Sequence, residues 1–143
     1  MSDVNAAAAP PVPTADSLRG AALIGYGLYL AAYFTAGLTA VAAVVLAYLK
    51  QSEAVGTIWA SHFHNQIVVF WVMAITFVLA VPLYVMCIAL AVVFGIIAWP
   101  VSLLAAPFIL AALCFPFGLI VVVWFLYRVI KGLVRANDSQ AYD

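Results

Sequence analysis

From Asn65 to Tyr127 the chain runs for 63 residues without an Asp, Glu, Lys, Arg or His, and from Ala21 to Leu49 it does so again for 29. A helix needs ~20 apolar residues to cross the hydrocarbon of a bilayer. Both runs exceed that length, and Pro and Gly residues punctuate the longer one. The fold class expected is therefore all-α, a polytopic helical membrane protein.

Composition agrees. Of 143 residues, 69% are hydrophobic and 7% charged, whereas soluble domains carry about 25% charged residues. Five basic and five acidic side chains cancel, so nothing points to a nucleic-acid partner. The length suits one domain, expected over residues 18–135 between an Ala- and Pro-rich tail (1–17) and a polar tail (136–143).

The polar cluster between the two runs is the centre of the chain. It reads Ser61-His62-Phe63-His64-Asn65-Gln66 and leads into Ile67 to Trp71. Such a knot is where a membrane chain meets the interface, a partner or a ligand.

Residues 1–17 bury little and are expected to be disordered. Asp3 and Asp16 stand where the basic start of a signal peptide would lie. The first span is predicted at 21–49, about 44 Å of helix at ~1.5 Å per residue, which demands tilt or a kink. Ala32, Ala36, Ala40, Ala43 and Ala47 share one helical face, a close-packing surface for a second helix. Tyr26, Tyr29 and Tyr33 read as interfacial or packing aromatics. Residues 52–64 fit a short amphipathic helix in the interface.

Beyond it, spans are predicted at 65–90 and 107–134, three in all. A fourth span or re-entrant hairpin near 84–104 is the alternative, with Pro82, Gly95, Pro100, Pro107, Pro116 and Gly118 as break points. Trp99-Pro100 reads as an interfacial end. Cys87 and Cys114 read as small buried hydrophobes.

Arg128, Lys131 and Arg135 flank the last span, and the positive-inside rule then puts the C-terminus in the cytoplasm. Three spans leave Arg19 alone outside; four leave Lys50 there. The expected location is a bacterial inner membrane, crossed several times.

No nucleophile–base pair, paired carboxylates or phosphate-binding Gly loop appears, so no enzyme and no cofactor are expected. His62 and His64, two apart, diverge on a helix and chelate poorly there. The apolar runs hold none of the charged groups that proton and ion pathways display, which weighs against a pump. His62, His64, Asn65, Gln66 and Arg128 are candidate polar contacts between helices. The last prediction from this pattern is that Gln66 bonds Arg128 or the Tyr127 hydroxyl. Arg128, Lys131 and Arg135, at i, i+3 and i+7, are candidates for lipid headgroups.

The residues Gly56-Thr57, Ser61-His62-Phe63, Gln66-Ile67 and Phe70-Trp71, with Tyr127 to Leu133 and Asn137-Asp138, resemble a family of small bacterial inner-membrane proteins of unknown function. So does the stretch from Tyr29 to Lys50. That family is distantly similar to the channel-like Tic component of chloroplast protein import. Val68 departs from it where a basic residue is common, and the gap between knot and tail is longer here. The resemblance implies a helical membrane protein with knot and tail on the cytoplasmic side. The expected partners are membrane lipids and other membrane helices, in a homo- or hetero-oligomer. The leading expectation is an accessory or assembly subunit, and the second a pore-forming or translocation component.

Overall fold

The computed structural model describes residues 14–98 and 100–142, without the side chains at 94–98, 100–107, 109–111 and 113–114. Among these residues the chain is all-helical: α1 (Ala15–Ala31), α2 (Leu38–Gln51), α3 (Trp59–Ala98) and α4 (Pro100–Asn137). The expectations for residues 1–13, Trp99 and the Cys114 side chain lie outside the described residues.

Helix α1 starts where Thr14, in extended backbone, accepts the Ser17 amide on its Oγ1 at 3.3 Å. Asp16 sits in the first turn, where a carboxylate complements the helix dipole. The helix does not continue to Leu49. Ala36 and Gly37 have φ of 50° and 87°, and two successive left-handed residues reverse the chain. The Gly37 amide closes the turn on the Ala32 carbonyl at 2.9 Å. Gly37 then caps α2 without a side chain, and the Thr35 hydroxyl substitutes by accepting the Thr39 amide at 3.3 Å.

The single span predicted at 21–49 is thus a helical hairpin, its arms of 17 and 14 residues. These are ~25 and ~21 Å long, short of the ~30 Å hydrocarbon core. The Ala face divides with it. Ala43 and Ala47 are buried, Ala32 and Ala40 are partly buried, and Ala36 is exposed in the turn. No separate interfacial helix forms at 52–64 either. Residues 52–58 are a turn around buried Ala54, and from Trp59 onward the amphipathic stretch is the start of α3.

Helices α3 and α4 have 40 and 38 residues, ~60 and ~57 Å. α3 runs through Pro82, which has no N–H to give the Val78 carbonyl, and continues past the predicted break at Gly95. Among the described residues no separate helix is set off at 84–104: α3 extends to Ala98 and α4 begins at Pro100, and Pro suits a first helical position. Pro107, Pro116 and Gly118 lie inside α4. The stretches Trp59–Val93 and Phe115–Asn137 are long and apolar enough to cross a membrane.

Side-chain contacts fix the directions. Arg128 reaches Asn65 and Tyr142 reaches Ser61, so α4 returns antiparallel to α3. Arg19 reaches the Asn137 carbonyl and Tyr29 packs on Phe125, so α1 is antiparallel to α4 and parallel to α3. The Trp71 indole donates to the Tyr48 hydroxyl at 2.9 Å, pinning α2 to α3.

The core lies at one end. Tyr26, Tyr29, Ala43, Ala47, Phe63, Val69, Phe125 and Val129 fill it. Farther along α3, from Trp71 to Val93, large apolar side chains face outward. All five basic residues gather at the core end. Arg19 shares a cleft with Glu53, which pairs with Lys50 at 2.7 Å. Arg128, Lys131 and Arg135 all meet the chain's last residues. This corrects the expected split, in which Arg19 or Lys50 stood alone across the membrane. The hairpin returns the chain to its starting end, so Lys50 and Arg19 end up together.

Candidate functional site: a polar knot closed by the C-terminal tail

Tyr26, on α1, points its ring into the space between α3 and α4. It fits because Gly132 has no Cβ; one built there would collide with the Tyr26 ring. One turn on, Tyr29 donates to the Gln66 backbone carbonyl at 2.7 Å. The knot meets these rings from α3, with His62, Asn65 and Gln66 all buried.

The hydrogen bonds of the knot run in one direction. His62 Nε2 lies 2.7 Å from the Gln140 carbonyl, an acceptor only, so Nε2 carries the hydrogen. With Nε2 as the donor, Nδ1 of the neutral ring is the acceptor, and the Tyr26 hydroxyl 3.3 Å away donates to it. That hydroxyl accepts from Asn65 Nδ2 at 3.1 Å. Asn65 Oδ1 in turn accepts from the Arg128 guanidinium at 3.0 Å. A single relay therefore joins Arg128, Asn65, Tyr26, His62 and the tail, crossing α4, α3 and α1. Buried polar groups cost ~1–3 kcal/mol each when unpaired, and here the relay satisfies them in sequence.

Gln66 works beside the relay. Its Nε2 donates to the Ala22 carbonyl at 2.9 Å. Its Oε1 is buried without a hydrogen-bond partner and abuts Gly25, where a Cβ would overlap the amide. The expected bond from Gln66 to Arg128 or Tyr127 is not formed. Successive helix residues diverge by about 100°, so Gln66 faces α1 while Asn65 faces α4. Tyr127 is exposed, as is His64, which points away from the knot.

The tail folds back over this cluster. Ser139 takes a left-handed φ of 53°, and the Gln140 and Ser139 amides bond the Arg135 and Ala136 carbonyls at 2.9 and 3.2 Å. This pair of bonds is a Schellman end to α4. The chain then crosses to α3, where the Tyr142 amide donates to Ser61 Oγ at 2.9 Å. Arg135 donates to the Ala141 carbonyl at 3.0 Å. The Tyr142 ring lies 5.7 Å from the Arg128 guanidinium, 5.1 Å from Lys131 Nζ and 6.2 Å from the His62 ring. The Trp124 ring also lies beside the Arg128 guanidinium, at 5.3 Å. Burial pushes the Tyr142 hydroxyl above its ordinary titration range, so at neutral pH it is an uncharged ring on a cationic face.

The candidate residues thus come together, except His64. Tyr26, Tyr29 and Tyr142 belong to the site and were not legible as such, Tyr26 and Tyr29 showing only an i, i+3 spacing; Ser61 was legible as part of the knot, its bond to the tail was not. Among the described residues no three His, Cys, Asp or Glu side chains approach as metal ligands would. Toward the hairpin tip lies an apolar cavity of about 410 Å³, bordered by Tyr29, Tyr33, Val41, Phe70, Phe77 and Phe125.

No protein-family model matches the chain, and neither a curated protein nor a solved structure is significantly similar to it. None of these comparisons shows a similarity to the Tic-related family.

Proposed function

We propose that this chain is a non-enzymatic, multi-pass protein of a bacterial inner membrane, an accessory or assembly subunit that presents α3 and α4 to other membrane helices. The observation that carries this reading is the division of labour along α3. Its first turns spend the polar groups of His62, Asn65 and Gln66 inside the molecule, on Ala22, Tyr26, Arg128 and Gln140. The rest is an outward apolar surface, with Phe77 69% and Leu79 66% exposed. Exposed apolar surface on that scale marks a membrane or protein contact. Buried knot residues that join helices have a structural role.

In this reading α3 and α4 cross the bilayer and the α1–α2 hairpin enters from the charged end. That end, with both described chain ends, faces the cytoplasm by the positive-inside rule. A photo-crosslinking residue in place of Phe77, activated in native membranes, tests the subunit role. The expected outcome is one discrete protein adduct, lost when the label is moved to exposed Ser52. Lipid adducts alone at Phe77 would sink it. A homo-oligomer that conducts ions in a planar bilayer would favour the pore-forming alternative.

A further inference from the structure

The α1–α2 hairpin carries charge only at its open end. Asp16 and Arg19 stand in the first turns of one arm and Lys50 at the end of the other. Between them, Gly20 to Ala31 and Leu38 to Leu49 hold no charged residue. Each of these stretches is ~18 Å long at ~1.5 Å per residue. From the charged end the hairpin therefore reaches only a little past the middle of a ~30 Å hydrocarbon core.

The tip is built for hydrocarbon. Phe34 and Leu38 are 92% and 75% exposed there. The Thr35 hydroxyl donates to the Ala31 carbonyl at 3.2 Å and accepts the Thr39 hydroxyl at 2.9 Å. The amides of Phe34, Thr35, Gly37 and Leu38 close on carbonyls of the same turn. In lipid, polar groups must be satisfied internally in this way. Both arms are also fixed in depth. Tyr29 and the Gln66 amide tie α1 to α3, and the Trp71 indole holds Tyr48 of α2.

Beyond the tip the molecule is thinner. Phe77 of α3 borders the cavity at the tip, and from there α3 runs on to Ala98 and α4 returns from Pro100. Among the described residues, four helices lie side by side at the charged end and two at the other.

We infer that the chain is a wedge whose partner is a curved lipid surface, one on which the leaflet at the charged end is convex. The hairpin adds two helices, each ~10 Å across, to that leaflet alone. Bending spreads the convex leaflet and so makes room for them, whereas a flat bilayer must compress lipid on that side. The inference rests on the membrane reading above. With the charged end in the cytoplasm, the favoured surface is membrane folded into the cell.

Two measurements in phosphatidylcholine vesicles test it, in a background with Cys87 and Cys114 replaced by Ala. A nitroxide on Phe34→Cys should collide with oxygen and be shielded from a water-soluble nickel chelate, and one on Ser52→Cys should show the reverse. Gln140→Cys then reports orientation through an impermeant maleimide, applied before and after detergent. The outward-facing fraction should be higher in small sonicated vesicles than in large extruded ones of the same lipid. Phe34→Asp, a charge on an exposed tip residue, should draw the tip toward water and reduce that difference.

Nickel access at Phe34 overturns the wedge. So does an outward fraction that is equal in the two vesicle sizes or lower in the small ones. A full size dependence in Phe34→Asp overturns the hairpin as its source. Failure of the parent chain to enter vesicles at all strikes the membrane reading instead, so the two failures are distinguishable.

Discussion

Asn65 takes the guanidinium of Arg128 on its Oδ1 and gives its Nδ2 hydrogen to Tyr26, at 3.0 and 3.1 Å. One amide thereby couples a cation on α4 to a phenol on α1. The coupling is directional, because an amide accepts on one atom and donates on the other. Loss of Asn65 strands partners on both sides. Loss of Arg128 leaves one carbonyl oxygen that water at the charged end can solvate.

A double-mutant cycle tests this pair. Asn65→Leu and Arg128→Leu, scored by unfolding in detergent, should show an interaction energy of about 0.5–3 kcal/mol, the range for residues in one network. Gln66→Leu with Arg128→Leu is the control. These two side chains face different helices, and their effects should add within ~0.3–0.5 kcal/mol. Coupling of the second pair and additivity of the first would refute the arrangement.

The hairpin makes a topological prediction. Cysteines at Asp16 and Gln140, in a background without Cys87 and Cys114, should react with an impermeant maleimide from the same side of the membrane. Three separate spans would put them on opposite sides. Position 53 does not discriminate, because both arrangements place it beside the C-terminus.

Four glycines form an internal comparison. A Cβ on Gly25 or Gly132 overlaps the Gln66 amide or the Tyr26 ring, whereas one on Gly20 or Gly27 meets nothing within 4 Å. Gly25→Ala and Gly132→Ala should each cost ~1–3 kcal/mol by overpacking. Gly20→Ala and Gly27→Ala should be neutral or stabilise by up to ~1 kcal/mol through helix propensity. Thermal unfolding of the four variants checks the contrast, and equal effects would count against the packing of α1 on α3 and α4.

The turn at 35–37 gives a further contrast. Ala36 has a left-handed φ of 50°, a region that costs a residue with a Cβ ~1–2 kcal/mol. Ala36→Gly should raise the melting temperature and Gly37→Ala should lower it. Larger side chains act elsewhere: Ala43→Leu and Ala47→Leu should destabilise by ~1–3 kcal/mol, since both positions are fully buried. Ala36→Leu should not overpack anything, because that residue is exposed. If Ala36→Gly is as harmful as Gly37→Ala, the turn is not built this way.

How much of this was legible in the sequence depends on what kind of signal each residue carries. The helical class follows from the charge-free runs, and the basic stripe from the spacing of Arg128, Lys131 and Arg135. The knot was visible because polar residues in an apolar chain stand out. Its wiring was not. Asn65 and Gln66 are adjacent amides, and which one meets Arg128 depends on where α1 returns relative to α3. That in turn depends on Ala36 and Gly37, which sit in an Ala-rich stretch reading as continuous helix; the excess length of that stretch asked for a tilt or kink without saying where. Tyr26 and Tyr29 were hidden differently: a phenol reads as an apolar ring until its hydroxyl has a partner. The tail carries no periodic pattern, and a short polar end reads as solvated unless its contacts are seen.

The last prediction concerns pH at the tail. Burial, the largest influence, raises the Tyr142 hydroxyl above its ordinary value, with Tyr127 adding to the rise and Arg128 and Arg135 opposing it. An undocked tyrosine titrates near pH ~10. A group whose docked pKa is higher than its free one favours docking fully below the free value and loses that contribution as pH rises through the docked value. Docking should therefore be insensitive to Tyr142 at neutral pH and weaken above ~10. A bimane on Gln140→Cys, in a background without Cys87 and Cys114, lies near Trp59 through His62 while the tail is docked, is quenched there, and should brighten in that alkaline range. Tyr142→Phe keeps the ring over Arg128 and Lys131 but has no proton to lose, so the alkaline brightening should shrink. If Tyr142→Phe brightens with the same amplitude and midpoint as the parent, the phenol is not what the buried site holds neutral.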